Sequence, residues 1–134
     1  MIHKRKIYGF MCDVYGHLNN ANYLFIYEEA RAEGLEEAGI PIRDLEKIGV
    51  AIYLSEINLT FKKPLMLEEI VTIKSNIIEF SKIKSVWRQE MYNSKNELCN
   101  VAVVKGVFIK NGKPARIDRE LHKKIADFIE KDEQ

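Results

Sequence analysis

A carboxylate, an imidazole and three amides cluster around one glycine near the start of the chain. These residues are Asp13, Gly16, His17, Asn19, Asn20 and Asn22. An apolar run from Leu24 to Tyr27 follows at once, which indicates that a helix begins there. A carboxylate can act as a nucleophile or general base, and the free N–H groups at a helix start can stabilise developing negative charge.

Two interpretations fit this segment. A surface turn followed by a helix N-cap would explain Asn19 or Asn20, because short amide side chains often cap helices. It would leave Asp13 and His17 without a role. An active-site loop would use them, with Asp13 as the reacting carboxylate and the backbone amide of Asn20 or a neighbour as the donor. The residues alone leave both interpretations open, and in the second Asp13, His17 and Asn20 are the candidate catalytic residues.

The spacing Asp-x-x-Gly-His-x-Asn-Asn-x-x-Tyr, from Asp13 to Tyr23, resembles the signature of the hotdog-fold thioesterases, in the branch of the 4-hydroxybenzoyl-CoA thioesterases and YbgC-like proteins. In that family the loop Asp is the catalytic carboxylate, which implies this role for Asp13. The family's carbonyl-polarising amide matches Asn20. His17 matches a histidine of the similar plant acyl-carrier-protein thioesterases, which have an asparagine where this chain has Tyr15.

The other roles within the loop have both a functional and a structural interpretation. His17 could orient water, bind the thioester region, or tie the loop together through a hydrogen bond to the backbone. We assign Gly16, Asn19 and Tyr23 to substrate binding, with capping as the alternative for Asn19 and packing as the alternative for Tyr23. Asn22 is interpreted as a residue that braces the loop.

Basic side chains are expected at the entrance of such a site, because coenzyme A carries several phosphate charges at one end. The candidates at the ends of predicted strands are Lys62, Lys63, Lys82 and Lys84. The alternative is that these lysines are solvated surface residues, since lysines at sheet edges also prevent aggregation.

Length and charge limit the class of protein. The chain has 134 residues, which suits a single domain from residue 1 to residue 134. Its 21 Lys and Arg residues nearly balance its 20 Asp and Glu residues, so no net field favours nucleic acid or an anionic membrane. The first apolar segment is too short for a signal peptide or a membrane span, which predicts a cytoplasmic protein.

Neither a metal nor another cofactor is expected. Cys12 and Cys99 lie far apart and outside any Cys-x-x-Cys pair. The histidines, His3, His17 and His122, are widely separated, and their spacing matches no zinc motif. Cys12 adjoins the loop, but its apolar neighbours favour packing over a nucleophilic thiolate.

The element that must position the loop is a long helix. Its predicted span is Ala21 to Ala38, because this stretch is rich in Ala, Leu and Glu and is followed by Gly39. The N-terminal half is apolar on nearly all sides, so we expect a sheet to wrap it. Glu28 and Arg31 stand three residues apart on this helix and could form an ion pair.

The rest of the chain is mostly strand-like. The predicted strands of an antiparallel sheet are Val50 to Phe61, Ile70 to Phe80, Lys82 to Tyr92 and Leu98 to Lys110. The apolar parity switches within the first of them, which predicts a bulge near Ser55 and Glu56. Residues 93–96 predict a hairpin loop, and Asp118 is expected to cap a final helix with one apolar face.

The resemblance implies an α+β fold, the hotdog fold. In it, an antiparallel sheet of about five strands is wrapped round a long central helix, and a short C-terminal helix follows. The family builds its site between subunits, so the resemblance also implies a homodimer or a homotetramer.

The function implied is that of an acyl-CoA thioesterase, which hydrolyses an acyl thioester to the free acid and CoA without a cofactor. The alternatives are an acyl-carrier-protein thioesterase, a hydratase of the same fold, and a noncatalytic module that binds acyl thioesters. By comparison with these families, the spacing from Asp13 to His17 favours hydrolysis over hydration. The short chain resembles enzymes that use CoA as the carrier.

Overall fold

The computed structural model describes residues 1–133. The strands are β1 (Ile2–Lys6), β2 (Val50–Phe61), β3 (Ile70–Phe80), β4 (Lys84–Tyr92), β5 (Leu98–Lys110) and the two-residue β6 (Lys113–Pro114). The helices are α1 (Asn22–Glu37), α2 (Ile42–Lys47) and α3 (Arg119–Asp132). A short 3-10 helix, Gly9–Met11, lies between β1 and α1.

The strands pair antiparallel in one sheet, in the order β1-β3-β4-β5-β2, with β6 paired to β5. The edge strands of this order are β1 and β2. One face of the sheet packs on α1, and α3 adds Leu121 and Ile125 to the same core. The predicted architecture of an antiparallel sheet around a long helix, with a C-terminal helix, is confirmed.

Helix α1 lies within one residue of its predicted bounds at each end. Its buried residues recur at intervals of three or four, as expected for one helical face: Tyr23, Ile26, Tyr27, Ala30, Gly34 and Leu35. Gly39 lies just beyond the end of this helix and has a φ of +75°, which favours glycine. Ile40 N–H donates to Leu35 O (2.9 Å) across the helix end.

The sheet covers only one side of α1. Leu24 and Phe25 are exposed, and Phe25 retains 63% of its accessible surface. The expectation that the sheet of one chain wraps the whole N-terminal half was therefore wrong for this side. The buried face of this half carries Tyr23 and Tyr27, which are 2% and 1% exposed.

The predicted bulge in β2 is confirmed. The pairing with β5 shifts between Leu54 and Glu56. Because a strand alternates its side chains, one extra residue puts Leu54 and Ile57 on the same face of the sheet. Ile52 before the bulge and Leu59 after it consequently both pack against the core.

Two local features differ from the prediction. Strand β4 begins at Lys84 and not at Lys82, because the Ser81 hydroxyl accepts the N–H groups of Ile83 (3.2 Å) and Lys84 (3.3 Å) and holds a turn there. Helix α2 was not predicted. It is six residues long and buries only Leu45, which is too little to give a helical periodicity.

The remaining turn and cap predictions are confirmed. The loop of residues 93–96 joins β4 to β5, and Asn93 Oδ1 accepts the N–H groups of Lys95 (3.0 Å) and Glu97 (2.9 Å). Asp118 caps α3, because its Oδ1 accepts from Leu121 N–H at 2.7 Å.

A buried polar network joins α1 to the middle of the sheet. Gln89 on β4 is fully buried, and its Nε2 donates to Tyr27 O (3.1 Å) and to Ser75 Oγ (3.0 Å). Its Oε1 accepts from Arg31 Nη1 at 2.8 Å. The side chain of Tyr27 belongs to the same network, because its hydroxyl donates to Asn100 Oδ1 at 2.8 Å. Burial raises the pKa of Tyr27, which keeps this hydroxyl a donor.

None of the helices within residues 1–133 has the length and apolarity needed to cross a membrane.

The Tyr27 hydroxyl gives a direct test of the network. Tyr27→Phe should lower the free energy of unfolding by ~1 to 3 kcal/mol, because it leaves the buried Asn100 Oδ1 without its donor. Tyr53→Phe is the matched control, since Tyr53 is exposed. Urea denaturation of both variants measures the difference, and equal losses would contradict the network's contribution.

Candidate active site

The segment between β1 and α1 is a closed loop. Asp13 N–H donates to His17 O (2.8 Å), and Gly16 N–H donates back to Asp13 O (3.1 Å). Gly16 has a φ of +75°, which a side chain would strain. The loop is tied to the chain before β3, because Leu18 N–H donates to Leu65 O at 2.7 Å. The backbone therefore fixes the position of Asp13 from both sides.

The Asp13 carboxylate is half-buried and is held by backbone donors. Its Oδ1 accepts from the N–H groups of Tyr15 (2.9 Å) and His17 (3.2 Å). Within residues 1–133 the Oδ2 atom accepts no hydrogen bond. One oxygen thus anchors the carboxylate while the other is available for chemistry.

The start of α1 leaves the amide of Asn20 without a partner in the described part of the chain. Asn19 N–H donates to Met11 O (2.9 Å), Asn22 N–H donates to Asn19 O (2.9 Å), and Ala21 N–H donates to Asn19 Oδ1 (3.0 Å). Among the residues that the structure describes, the Asn20 N–H has no acceptor. A free N–H at a helix start is suited to binding an anionic oxygen.

Two asparagines brace this turn. Asn22 Nδ2 donates to Met11 O at 2.8 Å, so the predicted bracing role of Asn22 is confirmed. Asn19 braces the turn as well, through the acceptor bond to Ala21 N–H. The bond from Ala21 N–H to Asn19 lies in the turn before the helix, whose N-cap is Ala21, and the Asn20 side chain makes no hydrogen bond within residues 1–133. The capping interpretation is therefore not confirmed for either residue.

The His17 imidazole does not tie the loop together. Its ring nitrogens make no hydrogen bond in the described part of the chain, and its ring centroid lies 6.3 Å from that of Tyr15. The loop is closed by the backbone of His17 instead. The imidazole is therefore free to orient water or to contact a ligand.

A cleft of about 440 Å³ opens beside the loop. It is lined by Asp13, His17, Leu18, Asn20, Tyr23, Phe61, Lys62, Lys63 and Pro64. Six of the predicted site residues line this cleft: Asp13, His17, Asn20, Tyr23, Lys62 and Lys63. Gly16 and Asn19 belong to the loop but do not line the cleft. Residues 61–64 form another part of the cleft lining, and the sequence analysis did not identify them as one continuous segment of the site. The only sequence signal for it was the pair of lysines before a proline at the end of β2.

Tyr23 contributes to the cleft mainly by packing. The residue is only 2% exposed, and its ring meets that of Phe61 edge to face at 5.1 Å. Burial raises the pKa of the Tyr23 hydroxyl, so it stays protonated.

The four lysines separate into two pairs. Lys62 and Lys63 both donate their backbone N–H to Cys99 O and line the cleft. Lys82 and Lys84 lie at the other end of the sheet, where Lys84 pairs with Val107 on β5. Within one subunit the latter two are not part of the cleft. They lie apart because β4 begins beside the turn at Ser81 and reaches the end of the sheet near Cys99 only at Tyr92.

The two lysines of the cleft differ in their ion pairing. Lys63 forms an ion pair with Glu97, whose pKa is lowered by the hydrogen bonds from Lys63 and Asn93. Lys62 has no ion-pair partner within residues 1–133. Lys62 is therefore the cleft lysine whose charge is not already matched.

Two further expectations concern neighbouring side chains. Glu28 and Arg31 do not form the predicted ion pair, because Arg31 turns inward to Gln89. Cys12 is half-buried, and both burial and the nearby Asp13 carboxylate raise the pKa of its thiol. A raised pKa disfavours the thiolate, which agrees with the interpretation of Cys12 as noncatalytic. In the part of the chain that is described, no three His, Cys, Asp or Glu residues are grouped to hold a metal ion.

Comparison with known proteins identifies the family. Residues 9–125 match the Thioesterase-like superfamily. The long-chain acyl-CoA thioesterase FadM of Escherichia coli is 28% identical over 127 residues, which cover 92% of this chain and 96% of that protein. The chloroplast acyl-acyl carrier protein thioesterase ATL3 of Arabidopsis thaliana is 24% identical over 131 residues, which cover 96% and 68%.

The fold agrees with the family. The crystal structure of the DHNA-CoA thioesterase from Staphylococcus aureus has a TM-score of 0.90 and 25% sequence identity, and the match covers 99% of this chain and 94% of that one. The predicted hotdog fold and the predicted enzyme class, thioester hydrolase, are thereby confirmed. The chain belongs to the Thioesterase-like superfamily.

Proposed function

We propose that this protein is an acyl-CoA thioesterase, in which Asp13 carries the catalytic step and the Asn20 amide polarises the carbonyl. The observation that carries this proposal is the meeting of two groups at one cleft. Among residues 1–133, Asp13 presents a carboxylate oxygen that accepts no hydrogen bond, and Asn20 presents a backbone N–H that lacks an acceptor. Hydrolysis of a thioester needs both kinds of group.

The reaction begins with the thioester carbonyl in the cleft and its oxygen towards the Asn20 N–H. Asp13 then either attacks the carbonyl carbon or takes a proton from a water molecule that attacks it. In both routes the C–S bond breaks, CoA leaves as the thiol, and water supplies the oxygen of the free acid. The positive end of α1 stabilises the oxyanion that forms on the way.

The carrier is proposed to be CoA. FadM is named for acyl-CoA, and Lys62 offers an unmatched positive charge at the rim of the cleft, where a phosphate could be bound. Acyl carrier protein is the alternative carrier, supported by the likeness to ATL3. Cleavage of the same acyl group from CoA and from acyl carrier protein, followed with a thiol reagent, distinguishes the two.

Asp13→Asn tests the catalytic assignment cleanly. An asparagine Oδ1 can still accept the N–H groups of Tyr15 and His17, so the loop should keep its shape. We expect kcat to fall on the order of 100-fold or more, because a neutral amide is neither a base nor a nucleophile here. Asp44→Asn, at an exposed carboxylate on α2, is the control. Near wild-type kcat in a folded Asp13→Asn variant would refute the assignment.

His17→Ala should lower kcat/KM less than Asp13→Asn does. A neutral imidazole contributes one ordinary hydrogen bond, worth ~0.5 to 1.5 kcal/mol, whereas one fixed oxyanion donor is worth ~3 kcal/mol. Asn20→Ala keeps the backbone amide and should be milder still. Steady-state kinetics on the three variants gives the order, and an effect of His17→Ala as large as that of Asp13→Asn would instead assign His17 a direct acid–base role.

The protein is further proposed to be a homodimer or a dimer of dimers. Strand β2 is a long edge strand, and its exposed apolar side chains need cover: Leu54, Ile57 and Phe61, beside Phe25 on α1.

Light scattering at the assay concentration measures the oligomeric state. We expect a mass of at least twice 15.6 kDa, because an exposed edge of this length favours pairing with a second copy. A fully active species of 15.6 kDa is the result that would rule this out.

A further inference from the structure

A second cavity, of about 100 Å³, lies between α1 and the sheet. Its walls are mainly apolar and include Leu35, Ile52, Leu54, Trp87 and Val104. Gly106 on β5 also lines it, and a Cβ at this position would lie 2.9 Å from Ile52 Cγ2. The glycine therefore keeps open a space that almost any side chain would fill.

Arg31 is the basic side chain of this cavity. It is half-buried, and its Nη1 is bound to the neutral amide of Gln89 at 2.8 Å. No carboxylate forms an ion pair with it in residues 1–133, unlike Arg5 and Arg88, which pair with glutamates. Burial lowers the pKa of the Arg31 guanidinium, and the charge of Glu28 on the rim only partly offsets this effect.

An unmatched cation beside apolar walls has a clear chemical preference. Removing a guanidinium from water is unfavourable unless an anion or several acceptors replace the water. A carboxylate is the best replacement, because it can accept two N–H groups of the guanidinium at once. The cavity is therefore suited to a carboxylate carried on an apolar chain.

The cavity and the cleft are both lined by residues of β2, although they share no lining residue within residues 1–133. Phe61 lines the cleft, Leu54 lines the cavity, and Ile57 lies between them on the same face of the sheet. Along α1, the rise from the first turn to Arg31 is about 12 Å. An acyl chain whose thioester lies beside Asp13 could follow this apolar strip, and its far end would then reach Arg31.

We propose that Arg31 binds a carboxylate at the far end of the acyl group, so that the preferred substrates are CoA thioesters of medium-length dicarboxylic acids. This inference rests on the proposed thioesterase function. Arg31 acts here as a specificity residue: it contacts the substrate but takes no part in the cleavage of the C–S bond at Asp13. A methyl end in the same place would leave the guanidinium without an acceptor from the ligand.

The test compares matched substrates. The kcat/KM values for adipoyl-, suberoyl- and sebacoyl-CoA are divided by those for hexanoyl-, octanoyl- and decanoyl-CoA, respectively. The wild-type ratio should exceed one for at least one pair. Arg31→Met should lower that ratio on the order of tenfold to 100-fold, the range for a hydrogen bond to a charged group. Arg31→Lys should restore part of it, and Arg88→Met, at an exposed arginine, should leave it unchanged.

A second variant guards against misfolding. Arg31→Met leaves the buried Gln89 Oε1 without its donor and could destabilise the fold. Glu28→Gln changes only an exposed side chain on the rim, so its folding should be unaffected. Because it removes a negative charge near the bound carboxylate, it should raise the ratio about two- to fivefold.

The outcomes separate the two proposals. A wild-type ratio of one or less at every chain length overturns the role of Arg31, as does a ratio that both Arg31→Met and Glu28→Gln leave unchanged. If no thioester is hydrolysed, the proposed function fails and binding decides the inference. Calorimetry with Asp13→Asn should then give tighter binding of suberoyl-CoA than of octanoyl-CoA, and equal affinities would overturn it.

Discussion

Two of the three hydrogen bonds of the buried Gln89 side chain join the sheet to α1 and hold the helix in one position. Apolar packing alone would allow a helix to slide or rotate at modest cost, because hydrophobic contacts are not directional. A shift of α1 would break the bonds of Gln89 to Tyr27 and Arg31 and leave buried polar atoms unsatisfied. The polar network therefore selects one register, and the geometry of both cavities depends on it.

The fixed register explains how one helix serves two regions. The turn that leads into it places the Asn20 amide at the cleft, and further along the same helix carries Arg31 to the second cavity. The bulge in β2 provides the facing surface, since it turns Leu54 and Ile57 to the same side of the sheet. Without that bulge one half of the strand would present its apolar side chains to the opposite face.

Much of the fold was predictable because it is encoded locally. The helix ending at Gly39, the cap at Asp118 and the bulge between Leu54 and Glu56 each follow from a few neighbouring residues. Local patterns could not show that Arg31 prefers Gln89 to Glu28, because Gln89 lies 58 positions away and only folding brings it near.

The candidate site follows the same division between local and distant contacts. The loop was found from its motif, since Asp13, His17 and Asn20 are close in sequence. The wall from Phe61 to Pro64 was not found as a unit, because it lies more than 40 positions from the loop and meets it only in the fold, where Leu18 N–H donates to Leu65 O. The separation of Lys62 from Lys82 likewise depends on the direction in which each strand runs, and single-residue patterns do not contain this information.

The amide of Asn20 has an evolutionary consequence. In the proposed mechanism the oxyanion donor belongs to the main chain, so every amino acid except proline can supply it. The side chain at this position can therefore vary between relatives without loss of the donor, and an alignment would give little sign of its importance. What must be inherited instead is the turn made by Asn19 and Asn22, which leaves the Asn20 N–H without an acceptor within residues 1–133.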